Sequence, residues 1–265
     1  MKYLRSALVG LVLLAALAVS LLWFLPARWV LPWIEPSLHG LRLQQVHGSV
    51  WNGEAGQVTA VGGQRLGQLH WRVSRHALLG DLRVQLVFDG PQLAFSGAMR
   101  RLPDSRVEAD DVRLRADLAA LDGYSGPLPG RPLGRLELTA PHVLLQGGWP
   151  LQGEAQGLWR RAALRTEQGD LALGDIQFEA RAQAGVIQVH WHDLGAGRLQ
   201  VQGQLQLSPL GWRLDTTLRA RQTDPALQRW LAGLGPVSDD GSVHIQQSGG
   251  LAGTVPPTDK GATQP

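Results

Sequence analysis

A strict alternation of apolar and polar residues governs most of the chain after Leu41. Its cleanest stretch sets Leu199, Val201, Gly203, Leu205 and Leu207 against glutamine at 200, 202, 204 and 206. Successive side chains of an extended strand point to opposite faces, so a period of two gathers the apolar residues on one face. The same alternation runs through Arg83–Phe88 and Leu93–Gly97, on either side of the turn signal Asp89-Gly90-Pro91. It returns in Val112–Ala116, Leu136–Ala140, Asp170–Ala182 and Trp212–Leu218, slipping by one residue at Gly174-Asp175. Such a text specifies mainly β structure: an antiparallel sheet with one buried face, either curved or sandwich-like. Helical patterning is scarce. Asp117–Asp122 allows one turn. Asp224–Leu234 is stronger: Thr223 or Asp224 stands at the cap, Pro225 in the first turn, and Leu227, Trp230, Leu231 and Leu234 on one face. Gly235-Pro236 stops it, and a strand over Ser242–Gln246 follows the turn Asp239-Asp240-Gly241.

The N-terminus is built differently. Ala7–Leu25 contains no charged residue. As a helix it would be about 28 Å long, close to one hydrocarbon core, and backbone in lipid must satisfy its own hydrogen bonds. Lys2 and Arg5 precede it, and Trp23, Trp29 and Trp33 mark its far end. Indoles favour the water–lipid boundary and basic residues the cytoplasmic side. The expected order is a cytoplasmic segment 1–6, a transmembrane helix 7–25, a membrane-proximal linker 26–40, a periplasmic β-rich domain 41–253 and a disordered tail 254–265. A cleaved signal peptide is the rival, with Ala16-Leu17-Ala18 as its small-x-small site. The apolar run continues past that site through Leu25, which favours an uncleaved anchor in the inner membrane. Both readings export the bulk of the chain.

Composition narrows the function. Basic residues number 25 and acidic residues 22, a net charge of +3, and Lys2 and Lys260 are the lysines among them. So little excess charge argues against nucleic acid as a partner. With no cysteine there are no disulfides and no thiol nucleophile. No nucleophile elbow, phosphate loop or zincin helix occurs. His190-Trp191-His192-Asp193 places two histidines on one strand face, but the sequence offers no further ligands, so it reads as a polar strand face beside a buried Trp191. Asp110-Asp111 and Asp239-Asp240 read as solvated edges and turns. The chain is therefore expected to be no enzyme, with no catalytic residue, metal or cofactor. Leu-Gly-x-aliphatic recurs at Leu66–Leu69, Leu79–Leu82, Leu133–Leu136 and Leu173–Ile176 at unequal spacings, and Asn52-Gly53-Glu54-Ala55 is echoed by Gln152-Gly153-Glu154-Ala155. This is shared turn chemistry, with glycine re-aiming a strand or seating a bulge, rather than a solenoid repeat.

One stretch is distinctive. It runs Leu25-Pro26-Ala27-Arg28-Trp29, then Gly48-Ser49-Val50-Trp51-Asn52-Gly53-Glu54-Ala55, then Leu66-Gly67-Gln68-Leu69-His70-Trp71, then Leu78-Leu79-Gly80. It resembles protein N of the Gram-negative type II secretion system. Gly147-Gly148-Trp149-Pro150 and Asp240-Gly241 are similar too, so the resemblance covers roughly Leu25 to Leu251. It implies an accessory, non-enzymatic component of the machine that exports folded proteins, whose partners are subunits of the inner-membrane platform or the outer-membrane pore. The family-like motif residues are Trp51, Asn52, Gly53, Leu66, Gly67 and Trp71, structural or docking in role. Asn-Gly is a strong hairpin signal because both residues tolerate positive φ, with Trp51 expected to pack on the sheet. The alternative function is an AsmA-like lipid-handling module, in which a continuous apolar β groove cradles acyl chains; lipid is then the ligand to consider, and no other small molecule is implied.

Overall fold

The alternation is realised strand by strand. A computed structural model describes residues 23–250, apart from 39, 61, 121–129, 167, 168, 196 and 223. The chain divides into two compact units, which meet in sequence at Arg101 and Leu102.

The first unit opens with helix α1 (Ala27–Ile34), continued by a 3-10 turn over Glu35–Leu38. Pro26 precedes α1, and Pro32 lies inside it. Proline suits a helix start but removes a hydrogen bond further in, so the helix ends soon after. Five strands follow: β1 (Arg42–Gly48), β2 (Asn52–Thr59), β3 (Arg65–Val73), β4 (Arg83–Asp89) and β5 (Leu93–Arg101). Each pairs antiparallel with its sequence neighbour. Register stacks Ala55, Leu69, Phe88 and Phe95 across one face, and Gly53, Trp71, Leu86 and Gly97 beside them. The other face carries Glu54, His70 and Ser96.

The second unit holds β6 (Arg106–Asp117), β7 (Arg131–Gln146), β8 (Trp149–Thr166), β9 (Gly169–Gln183), β10 (Val186–Asp193), β11 (Leu199–Ser208), β12 (Gly211–Ala220), helix α2 (Pro225–Leu234) and β13 (Ser242–Gly250). These strands also pair in sequence order. Tight connections enforce that order. Gly147 and Gly148 both have positive φ, as do Ala184 and Gly185, which fits the two-residue hairpin turns that leave a strand no path except beside its predecessor. Each unit is therefore one up-and-down sheet, not the two facing sheets of a sandwich.

The long strands are broken at glycine. In β7, Gly134 has φ +105°, and two residues of β8, Arg161 and Ala162, oppose it. In β9, Gly174 has φ +100° where the pairing with β8 shifts, at the predicted slip. Gly67 has φ +154° beside the irregularity between β2 and β3, and Gly80, at φ +93°, ends a 3-10 turn. All four Leu-Gly-x-aliphatic motifs thus place glycine where the backbone turns left-handed or bulges, as the turn reading expects.

The core of the second unit lies between its sheet and α2. Leu227 and Leu231 of α2 are buried against Leu164, Leu199, Leu218 and Val243. The Asp224 carboxylate accepts from the Leu227 N–H at 3.3 Å and caps the helix. The expected turn at Asp117–Asp122 is a 3-10 turn over Leu118–Ala120, with 121 and 122 outside the described residues. Also outside them are Lys2, Arg5, most of Ala7–Leu25 and the tail 254–265. Among the described residues, no helix is long and apolar enough to cross a membrane.

Candidate functional site

The structure gathers part of the distinctive stretch at one end of the first unit. Trp51 is buried, as expected of a residue packed on the sheet. The hairpin forms, but not with positive φ at Asn52 and Gly53. The pair Gly48–Gly53 closes a loop of residues 49–52, and the left-handed position is Gly48, at φ +86°. The Ser49 N–H donates to the Asn52 carbonyl at 2.9 Å, and Ser49 Oγ accepts from the Asn52 N–H at 3.2 Å. A longer loop moves the centre of the turn two positions upstream, to Val50-Trp51, and leaves Asn52-Gly53 to begin β2.

Gly53 serves a different purpose. A Cβ there would lie 2.5 Å from the Trp71 ring and 2.8 Å from the Ser49 carbonyl oxygen. Its bare backbone lets the Trp71 indole lie across the strand pair. The indole N–H then reaches the carbonyls of Ser49 at 3.3 Å and Val50 at 3.2 Å. Val50 donates its own N–H to the Leu25 carbonyl at 3.0 Å, and Ser49 forms a bridge with Pro26. The Val73 N–H donates to the Trp51 carbonyl at 2.8 Å. Ser49, Trp51, Gly53 and Trp71 thus form a clamp holding the segment before α1 to the β1–β2 loop. Every bond in it is set by a backbone group, a small residue or an indole, which is the chemistry of positioning.

The neighbouring tryptophans are displayed, not buried. Trp29 and Trp33 sit four apart on α1 and face outward, with Trp33 84 % exposed. Trp23 is half exposed, and the Arg75 guanidinium lies 4.5 Å above its ring. Leu66 and Gly67 belong elsewhere. They begin β3 at the far end of that strand from Trp71, where a Cβ on Gly67 would collide with the Asp89 carbonyl of the β4–β5 turn.

The polar strand faces carry exposed cross-strand pairs: the ion pairs Glu137 with Arg160 and Glu154 with Arg181, and the carboxylate–imidazole contacts Glu54 with His70 and Asp110 with His142. Exposed pairs add little stability but favour one register over its one-residue slip. On His190-Trp191-His192-Asp193, both histidines lie on the exposed face and Trp191 lies over Gly203. Asp193 is the residue that sequence reasoning missed. Its side chain is nearly enclosed and accepts from the N–H groups of Val201 at 2.9 Å and Gly195 at 2.8 Å and from the Arg221 guanidinium. Burial is the largest influence and pushes its carboxyl up, but the bonds from Val201, Arg221 and Gly195 outweigh it, leaving the pKa below 3.8. Among the described residues, no group of three or more His, Asp or Glu side chains is placed to hold a metal ion.

A model of the type II secretion system protein N family matches residues 39–246, which takes in β1 through most of β13. The chain belongs to this family. The type II secretion system protein N of Vibrio cholerae serotype O1 (strain ATCC 39315 / El Tor Inaba N16961) is 29 % identical over 209 residues, covering 77 % of this chain and 81 % of that protein. No solved structure matches. The family match begins after α1, so the clamp joins a segment outside the matched region to the matched β structure.

Proposed function

We propose that the chain is an accessory structural component of the type II secretion machine, held in the inner membrane by one span over Ala7–Leu25 and contacting other secretion subunits through its periplasmic β structure. The observation that carries this reading is the family match across nearly every strand. The clamp supports the anchored part, because it fixes the exit of the proposed span, Leu25-Pro26, to the first hairpin. The contact part rests on strand edges. Unpaired edge N–H and C=O groups are templates for a partner strand. No catalytic role is assigned, since the clamped residues hold backbone rather than present a nucleophile, acid or base.

A second reading is favoured by one specific observation. On the apolar face of the first unit, Leu69, Trp71, Leu86, Phe88 and Phe95 are half-buried and none is fully buried. An apolar sheet face left partly open is a surface on which acyl chains would lie. Cross-linking in intact cells, followed by purification of the full-length protein from native membranes and mass spectrometry, separates the two. Secretion subunits joined through residues after Leu41 support the scaffold. Phospholipid or lipopolysaccharide recovered without those subunits overturns it in favour of lipid handling.

A further inference from the structure

We propose that the β3–β4 connection is a second membrane contact, in which Leu78 and Leu79 enter the headgroup layer of the bilayer that Ala7–Leu25 crosses. This rests on the anchored reading above. The 3-10 turn Arg75–Leu79 presents two consecutive leucines to solvent, Leu78 51 % and Leu79 85 % exposed. They are not on a loose loop. Ser74 accepts from the His76 N–H at 3.2 Å at one end, and the Gly80 N–H bonds back to the Ala77 carbonyl at 3.1 Å at the other. A turn fixed at both ends that still displays leucine has its apolar surface ordered for something outside it.

The occupant is indicated by what lies beside it. Arg75 stacks on Trp23, inside the last three residues of the uncharged run. A span ending at Leu25 sets Trp23 at headgroup depth. At about 2 Å of rise per residue, Leu78 and Leu79 lie within roughly 10 Å of that stacked pair. The interfacial layer is itself about 5–10 Å deep, so the turn and Trp23 share it. Charge agrees. Arg75 offers a cation to lipid phosphate, and the nearby carboxylate, Asp81, is occupied by Arg83 and Arg100. Trp, Arg and Leu side by side, with Asp81 already paired, is the composition of an interfacial segment.

The absence of cysteine permits a direct test on the full chain. Leu79→Cys, Trp33→Cys and Gln92→Cys are each labelled with bimane and reconstituted in phosphatidylethanolamine–phosphatidylglycerol vesicles. Gln92 lies in the turn at the opposite end of β4. The expected result is quenching of the label at 79 by doxyl-labelled lipid and loss of its quenching by aqueous iodide, with the reverse at 92. If the label at 79 behaves like that at 92 while that at 33 is lipid-quenched, the second contact is overturned and the anchor stands. If all three are open to iodide and alkaline carbonate strips the protein from the vesicles, the anchored reading fails and the inference falls with it.

Discussion

At the scale of single residues, glycine and an aromatic ring act as a pair. Gly53 lies under Trp71, Gly157 under Phe178, Gly203 under Trp191 and Gly249 beside Trp212, each where a Cβ would strike the ring. Strand glycine is costly unless a neighbour's ring covers it, and here the aromatic ring does so from the next strand. Gly53→Ala is expected to destabilise the first unit by about 2 kcal/mol, since the added Cβ meets both the indole and the Ser49 carbonyl. Trp71→Phe replaces the indole by a smaller phenyl and loses the N–H, so about 2 kcal/mol is expected from the lost bonds and packing together. Denaturant titration of both variants and of the double variant checks this: the pair should be non-additive, and strict additivity would show that the two residues do not share one site. Asp193 carries a pH dependence. Its folded pKa is lowered, so its contribution is fully present above the ordinary carboxylate value of 3.8 and is lost as pH falls through the lowered value. Asp193→Asn is expected to cost about 2 kcal/mol at neutral pH by weakening the bonds from Arg221 and two backbone amides. The difference from the parent chain should shrink on acidification, and a gap that stays constant to pH values well below 3.8 would rule the carboxylate out as its source.

At the scale of elements, α2 is the piece whose removal the sheet would feel. Leu227 is fully buried at the centre of the second unit's core. Leu227→Ala is expected to cost about 3 kcal/mol, while Gln228→Ala on the exposed side should be neutral, both read by thermal unfolding. This helix was legible in the sequence because cap, first-turn proline, apolar face and Gly-Pro stop all agree. The alternating strands were legible for the same reason: one local signal, repeated. What the sequence concealed depends on contacts distant along the chain. Helix α1 reads as a linker because Trp29 and Trp33 are displayed and leave no buried stripe to detect. The 3-10 turn at Arg75–Leu79 is too short for periodicity. Asn52-Gly53 misled on the turn's position because its glycine answers to Trp71 from the next strand. Asp193 reads as part of a polar strand face and is an internal anchor, because Arg221, which satisfies it, stands 28 residues away.

At the scale of the whole molecule, the question is where a sheet protein of this family offers an edge to others. The two outer strands at the chain's ends differ as templates. In β1, Gln45 has φ +54° and is left out of the ladder with β2, and α1 packs nearby. A left-handed residue in mid-strand interrupts the extended row of edge N–H and C=O groups, although the register with β2 runs on unshifted. In β13, the bridge Val237–Val243 and the bond from the Ser238 N–H to the Ser242 carbonyl cover only the beginning of the strand. From His244 onward, among the described residues, its strand partner is β12. His244, Gln246 and Ser248 are exposed and polar, and β13 holds regular register with β12 from Ser242 to Gly250. An ordered, unbulged edge of that kind is the better acceptor for a strand from another secretion subunit. Replacing His244, Gln246 and Ser248 together by lysine should leave the fold intact, because none is buried, and should lower both cross-linking to secretion subunits and the export of folded substrates. The same triple change tests edge against face. Lysine does not remove the edge's hydrogen-bonding groups but repels an incoming strand by charge and desolvation. If export and cross-linking both persist with the triple variant folded, β13 is not the docking edge, and a further charged series along β1 decides whether pairing at an edge contributes at all.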